Sequence, residues 1–141
     1  MESRWGCKGL DSKFTFLLVD DEPLILMDLE FAVEDQGHDF CSAGCVQHAL
    51  EAIDSDECPI DVAILDFTLP NGSNCVPIAR KLDDRGIPYV IHSGDLQRRD
   101  EAISKLDARM IAKPAPSEKV IEAAIAELSH NRAGGPAVAA G

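Results

Sequence analysis

The sequence predicts an α/β fold: a doubly wound parallel sheet of five strands with helices on both faces. Three observations predict it. Five short apolar runs each precede a segment of helical character, and alternation of that kind builds parallel sheets. The central run, Val62-Ala63-Ile64-Leu65, has no polar alternation, as expected of a strand covered on both faces. Four runs end in polar residues of marked chemistry, at the strand ends where open α/β sheets bind ligands.

Residues 1–12 are polar and mixed and read as an N-terminal extension; residues 13–130 read as the folded domain. Phe14 to Val19 is the first strand. It ends in Asp20-Asp21-Glu22, and Pro23 after these acids signals a helix start. Ile25, Leu29, Ala32, Val33 and Gln36 fall on one face of that helix, and Gly37 stops it. His38 to Ala43 is the second strand. Val46, Ala49, Leu50 and Ile53 then follow the i, i+3, i+4, i+7 helix pattern, and Pro59 closes the unit. Val62 to Leu65 leads to Asp66 and a turn at Pro70 to Ser73. Val76, Ala79 and Leu82 mark a third helix, ended by Gly86. Pro77 is tolerated there because first-turn amides have no intrahelical partner.

Ile87 to His92 is the fourth strand and ends in Ser93-Gly94-Asp95. A weakly amphipathic, charge-rich helix is expected over about Leu96 to Leu106. Arg109 to Ala112 is the fifth strand, ending in Lys113-Pro114. Val120, Ile121, Ala124, Ile125 and Leu128 stripe a final helix that starts at Pro116 or Ser117. The low-complexity segment 131–141 is expected to be a disordered tail.

A length of 141 residues suits one domain with a sizeable core. Lys plus Arg number 13 and Asp plus Glu 25, a net charge of −12. That charge disfavours nucleic acid, whose phosphates need a basic patch. No apolar run approaches the roughly 20 residues of a membrane span, and Met1 to Cys7 lack a signal-peptide core. A soluble, cytoplasmic protein is expected. Cys7, Cys41, Cys45, Cys58 and Cys75 have no matching Cys or His pair at zinc-ligand spacing and read as small hydrophobes.

Right-handed crossovers leave few topologies, and the flavodoxin-like order 2-1-3-4-5 is the common one for five units. Strands one and three are then neighbours, which places Asp20 and Asp21 beside Asp66. Ser93 and Lys113 face the same crevice. Singly, each residue has an ordinary reading: a capping Asp, a solvated Lys, a turn Ser. Jointly, their chemistry is coherent. Clustered carboxylates repel one another, and Mg²⁺ relieves that repulsion using one or two carboxylates, waters and phosphate oxygens. A carboxylate can also act as a nucleophile and form an aspartyl phosphate. Lys113 and the Ser93 hydroxyl would then face the charge on the phosphoryl oxygens.

The stretches Leu17-Leu18-Val19-Asp20-Asp21-Glu22-Pro23, Ile64-Leu65-Asp66-Phe67-Thr68-Leu69-Pro70 with Gly72, Ser93-Gly94 and Lys113-Pro114 resemble the receiver domain of two-component response regulators. The resemblance covers about Lys13 to His130. It implies that Asp66 accepts a phosphoryl group from a phosphohistidine on a sensor histidine kinase or histidine phosphotransfer protein. It also implies that Asp21, Asp66 and the Thr68 backbone carbonyl ligate Mg²⁺ (or Mn²⁺), with Asp20 acting largely through a metal-bound water. Ser93 and Lys113 would contact the phosphoryl oxygens, and the Lys113–Pro114 bond would be cis. The family implies a phosphoacceptor signalling protein rather than an enzyme, with limited autophosphorylation from small donors and autodephosphorylation.

One position departs from the family pattern. Receivers often carry Tyr or Phe three residues before the active lysine as a rotating switch, and Met110 stands there. Methionine repacks readily, so a switch relying more on Ser93 to Leu96 and the polar helix after it is expected. With nothing after His130 resembling an output domain, a stand-alone receiver acting through protein contact is expected. It would pass phosphate onward, drain it from a kinase, or bind an unidentified target through the helix at 96–106, the fifth strand and the final helix. Residues Leu24 to Leu29 read first as a buried helix and second as a kinase contact. The rival classes fit less well. A flavodoxin-type cofactor site would place phosphate against Asp20-Asp21-Glu22. An aspartyl-phosphate hydrolase would need a second acid at the position of Thr68. The intact set of five polar residues argues against a degenerate receiver that is never phosphorylated.

Overall fold

A computed structural model describes residues 13–55, 59–94 and 108–140, with side chains described up to 129. The described elements are β1 (Thr15–Val19), α1 (Pro23–Asp35), β2 (Asp39–Ala43), α2 (Val46–Asp54), β3 (Val62–Leu65), a short 3₁₀ turn (Pro70–Gly72), α3 (Val76–Asp84), β4 (Tyr89–Ser93), β5 (Arg109–Ala112) and α4 (Ser117–Ala140). The helix expected at 96–106 lies outside the described residues. The strands form one parallel sheet in the order β2-β1-β3-β4-β5, as the sequence predicts.

Alternation along the strands divides the core in two. Leu17, Val19, Ala63, Leu65, Tyr89 and Ile91 face one side and pack with Ala49 and Ile53 of α2 and Ile78, Ala79 and Leu82 of α3. Phe16, Leu18, Val62, Ile64 and Val90 face the other side. There they meet Leu29 and Val33 of α1 and Val120, Ile121, Ala124 and Leu128 of α4. Every residue of β3 is buried, so both faces of the central strand need apolar side chains. Burying one Val, Leu or Ile is worth about 1.5–3 kcal/mol, and this sandwich holds the polar strand ends in register.

Two helices stop on the same backbone device. Gly37 (φ 86°) and Gly86 (φ 71°) adopt the left-handed conformation. The amides of Gly37 and His38 donate to the carbonyls of Glu34 and Val33, and those of Gly86 and Ile87 to Asp83 and Leu82. This is the Schellman pattern that satisfies end carbonyls.

Three expectations change. His38 precedes β2, and its Nδ1 accepts the Phe14 N–H at 3.0 Å while its ring lies against Phe14 and Phe16. The first helix has two apolar faces. Leu29 and Val33 are buried, but Leu24, Met27 and Phe31, spaced i, i+3, i+7, point outward, and Gln36 is an exposed cap. The third change concerns 131–140, expected to be a disordered tail: this segment continues α4 as helix to Ala140. Adding residues to an existing helix needs no new nucleus, and the alanines flanking Gly134-Gly135-Pro136 are good helix formers, although the glycines and proline themselves disfavour helix.

Candidate functional site

The acids reach one point because β1 and β3 are adjacent. Beyond β1, the Asp20 N–H donates to the Ala43 carbonyl at 3.2 Å, and Asp20 Oδ1 accepts the Glu22 N–H at 2.9 Å. That second bond closes a local turn of the kind Asp favours and leaves Oδ2 for another partner. Beyond β3, the Asp66 N–H donates to the Val19 carbonyl at 2.9 Å. Both carboxylates are buried, at 2% and 6% exposure, whereas Asp21 is exposed.

Lys113 joins them. Its N–H donates to the Ser93 carbonyl at 3.1 Å, extending the β4–β5 ladder past its last strand pair. Its Nζ donates to Asp20 Oδ2 at 2.9 Å and to Asp66 Oδ2 at 3.2 Å. A single ammonium therefore bridges carboxylates from two strands. The Lys113–Pro114 bond is cis.

The loop after Asp66 is tied back on itself. Thr68 and Asn74 form an antiparallel bridge, the Cys75 N–H donates to the Phe67 carbonyl at 2.9 Å, and Asn74 Oδ1 accepts the Val76 N–H at 2.9 Å. Asn71 (φ 62°) and Gly72 (φ 74°) make the left-handed corner, a conformation Asn and Gly accept most readily.

Asp21, Glu22, Asp66, Thr68, Ser93, Gly94 and Lys113 line a cleft of about 320 Å³. Sequence reasoning missed Glu22 and Gly94 as lining residues; only their adjacency to Asp21 and Ser93 signals them. Met110, half-buried on β5 opposite Ile91, packs against the core on the α2/α3 side rather than lining the cleft.

Burial, and next the negative charge of Asp20, push the Asp66 carboxyl up to about 6, against the opposing pull of Lys113. Burial draws Lys113 down, but its hydrogen bond to Asp20 and the charges of Asp66 and Asp20 outweigh this and raise it above its usual value. The donor set fits a hard divalent cation. One carboxylate oxygen each from Asp20, Asp21 and Asp66 lies within 4.8 Å of the others, and hard cations take oxygen ligands.

Residues 16–125 match the response regulator receiver domain, and the chain belongs to that family of phosphoacceptor signalling domains of two-component systems. It is similar to SdrG from Sphingomonas melonis Fr1, with 32% identity over 83% of this chain and 97% of that one and a TM-score of 0.67. A response regulator receiver protein from Sinorhizobium medicae WSM419 shares 25% identity, over 83% of this chain and 95% of that one, with a TM-score of 0.70. A CheY-like receiver domain protein from Methanospirillum hungatei JF-1 shares the fold at 20% identity, over 86% and 98% of the two chains, with a TM-score of 0.75. A search of curated proteins finds no match. Receiver domains bind Mg²⁺ at an acidic pocket and work with histidine kinases or phosphotransfer proteins. No helix among the described residues is long and apolar enough to cross a membrane.

Proposed function

We propose that Asp66 is the phosphoacceptor of a two-component phosphorelay, charged from a phosphohistidine on a sensor histidine kinase or histidine phosphotransfer protein. The observation that carries the reading is the pairing of a buried Asp66 with Lys113, at the edge of a cleft where two further acids converge. An Asp66 carboxylate oxygen attacks phosphorus, forming an O–P bond. The P–N bond breaks, and its electron pair stays on the imidazole nitrogen, which takes a proton from water. Lys113 positions the carboxylate before transfer and offers its ammonium to a phosphoryl oxygen afterwards. Ser93, at the end of β4, donates its hydroxyl to another. Asp21, Asp66 and the Thr68 carbonyl would hold Mg²⁺ (or Mn²⁺), with Asp20 acting through a bound water, and the ion would supply positive charge against the phosphoryl oxygens.

The outer face of α1 supports a protein donor. Leu24, Met27 and Phe31 are 77%, 47% and 62% exposed, an apolar row of the kind that docks on another helix. The output is a protein–protein contact with an unidentified target, in the cytoplasm, and a net charge of −12 argues against nucleic acid.

The test is incubation with a small phosphodonor, acetyl phosphate, and Mg²⁺. The expected result is about one alkali-labile phosphoryl group per chain, absent from Asp66→Asn. Label retained by Asp66→Asn, or many turnovers of a phosphate ester, would overturn the reading, the second in favour of a hydrolase.

A further inference from the structure

One buried group in the sheet has no part in the chemistry above. His92 is 4% exposed on β4, and neither Nδ1 nor Nε2 has a hydrogen-bond partner among the described residues. Strand alternation places its ring on the side of Val90, the side covered by α1 and α4. Its neighbours are the working residues. Ser93 follows it in the chain, and it pairs with Ile111, two residues before Lys113. The charges that act on the ring are those of Lys113 and Asp20.

A buried imidazole without a partner is costly, and an apolar side chain of similar volume would fill the same space without that cost. Such a cost matters to function only if it differs between two states, because a ligand shifts an equilibrium only through its differential affinity. Lys113 Nζ now occupies Asp20 Oδ2. When the ammonium turns to a phosphoryl oxygen, Asp20 Oδ2 loses that donor, and the imidazole N–H is an uncommitted donor on the same side.

We propose that His92 is a positioning residue whose unpartnered ring destabilises the resting arrangement of Ser93 and Lys113 and gains a partner when they engage a phosphoryl group. The inference rests on the phosphoacceptor reading of Asp66. Replacing His92 with leucine then stabilises the resting protein more than the engaged one, so thermal stability rises while affinity for a phosphoryl group falls.

The test uses the full chain with Mg²⁺ and fluoroberyllate, a non-transferable phosphoryl mimic. His92→Leu is expected to raise the unfolding temperature of the free protein and to weaken fluoroberyllate binding about tenfold, equal to ~1.4 kcal/mol. Mg²⁺ affinity stays unchanged. His92→Gln, which keeps an N–H donor at similar volume, is expected to bind fluoroberyllate like the wild type. A less stable His92→Leu shows that the ring is already satisfied and overturns the inference. So does a more stable His92→Leu with wild-type fluoroberyllate affinity, or a His92→Gln as weak as His92→Leu. A wild type that takes no fluoroberyllate overturns the phosphoacceptor reading, and this inference with it.

Discussion

Asp66 is a residue whose position works against its own ionisation. Burial and the Asp20 charge raise its carboxyl from 3.8 to about 6 in the folded chain. Below 3.8 the carboxyl is protonated in both states and has no effect on stability. As pH rises, the unfolded chain ionises first and the folded chain resists, so stability is lost between 3.8 and about 6 and stays lost above. Asp66→Asn removes the penalty. In the absence of Mg²⁺ it is expected to stabilise the protein by about 1–3 kcal/mol at pH 7.5, the scale of a shift of this size. The gain should shrink towards zero as pH falls to 4; equal gains at both pH values in urea unfolding would contradict this account. His92 has the opposite sign. Burial, and then Lys113, hold it below 6.5, so charging the ring costs the folded chain more than the unfolded one, and stability falls as pH drops below 6.5. Asp66 was legible in the sequence because an acid directly follows four apolar residues. His92 was read only as the last residue of an apolar strand, because periodicity reports which positions are buried and not whether a buried nitrogen finds a partner.

At the scale of elements, the strands were legible because they are covered on both faces and must be apolar throughout. Their ends shift by up to two residues where side chains compete with pairing, as His38 does at the start of β2. Helix α1 was half legible: the stripe through Leu29 and Val33 is core, while the Leu24, Met27, Phe31 row faces solvent. These functions are separable. Leu24→Ser with Phe31→Ser is expected to leave stability within about 0.5 kcal/mol, as for exposed positions generally. Transfer from a phosphohistidine donor should fall about tenfold or more, with unchanged phosphorylation by acetyl phosphate. Loss of both activities would place the row in the chemistry instead of in docking. By contrast, Ile64→Ala in the central strand removes core volume and should cost about 2–5 kcal/mol in denaturant unfolding. From 131 onward the sequence reads as a low-complexity tail, whereas the structure carries α4 through this segment to Ala140.

At the scale of the molecule, the site exists only because four strand ends share one edge of the sheet. The resting ammonium of Lys113 ties β5 to β1 and β3. A divalent cation would add a second tie between β1 and β3 and bind only the folded chain, so it should stabilise by RT ln(1 + [Mg²⁺]/Kd). A rising unfolding temperature with Mg²⁺ is expected, lost or reduced about tenfold in apparent affinity in Asp21→Asn; an unchanged dependence would remove Asp21 from the ligand set. The sequence by itself determined the α/β class and marked the acids, serine and lysine at the strand ends, both through local patterning. Crossover handedness narrowed the strand order to a few, of which 2-1-3-4-5 is the common one, and the structure has that order. Only the tertiary structure decided that one ammonium serves two carboxylates, that Asp66 resists ionisation, that α1 shows an apolar row to solvent, and that His92 is buried without a partner among the described residues. Those properties depend on distances and burial among residues far apart in the chain, which no local pattern encodes.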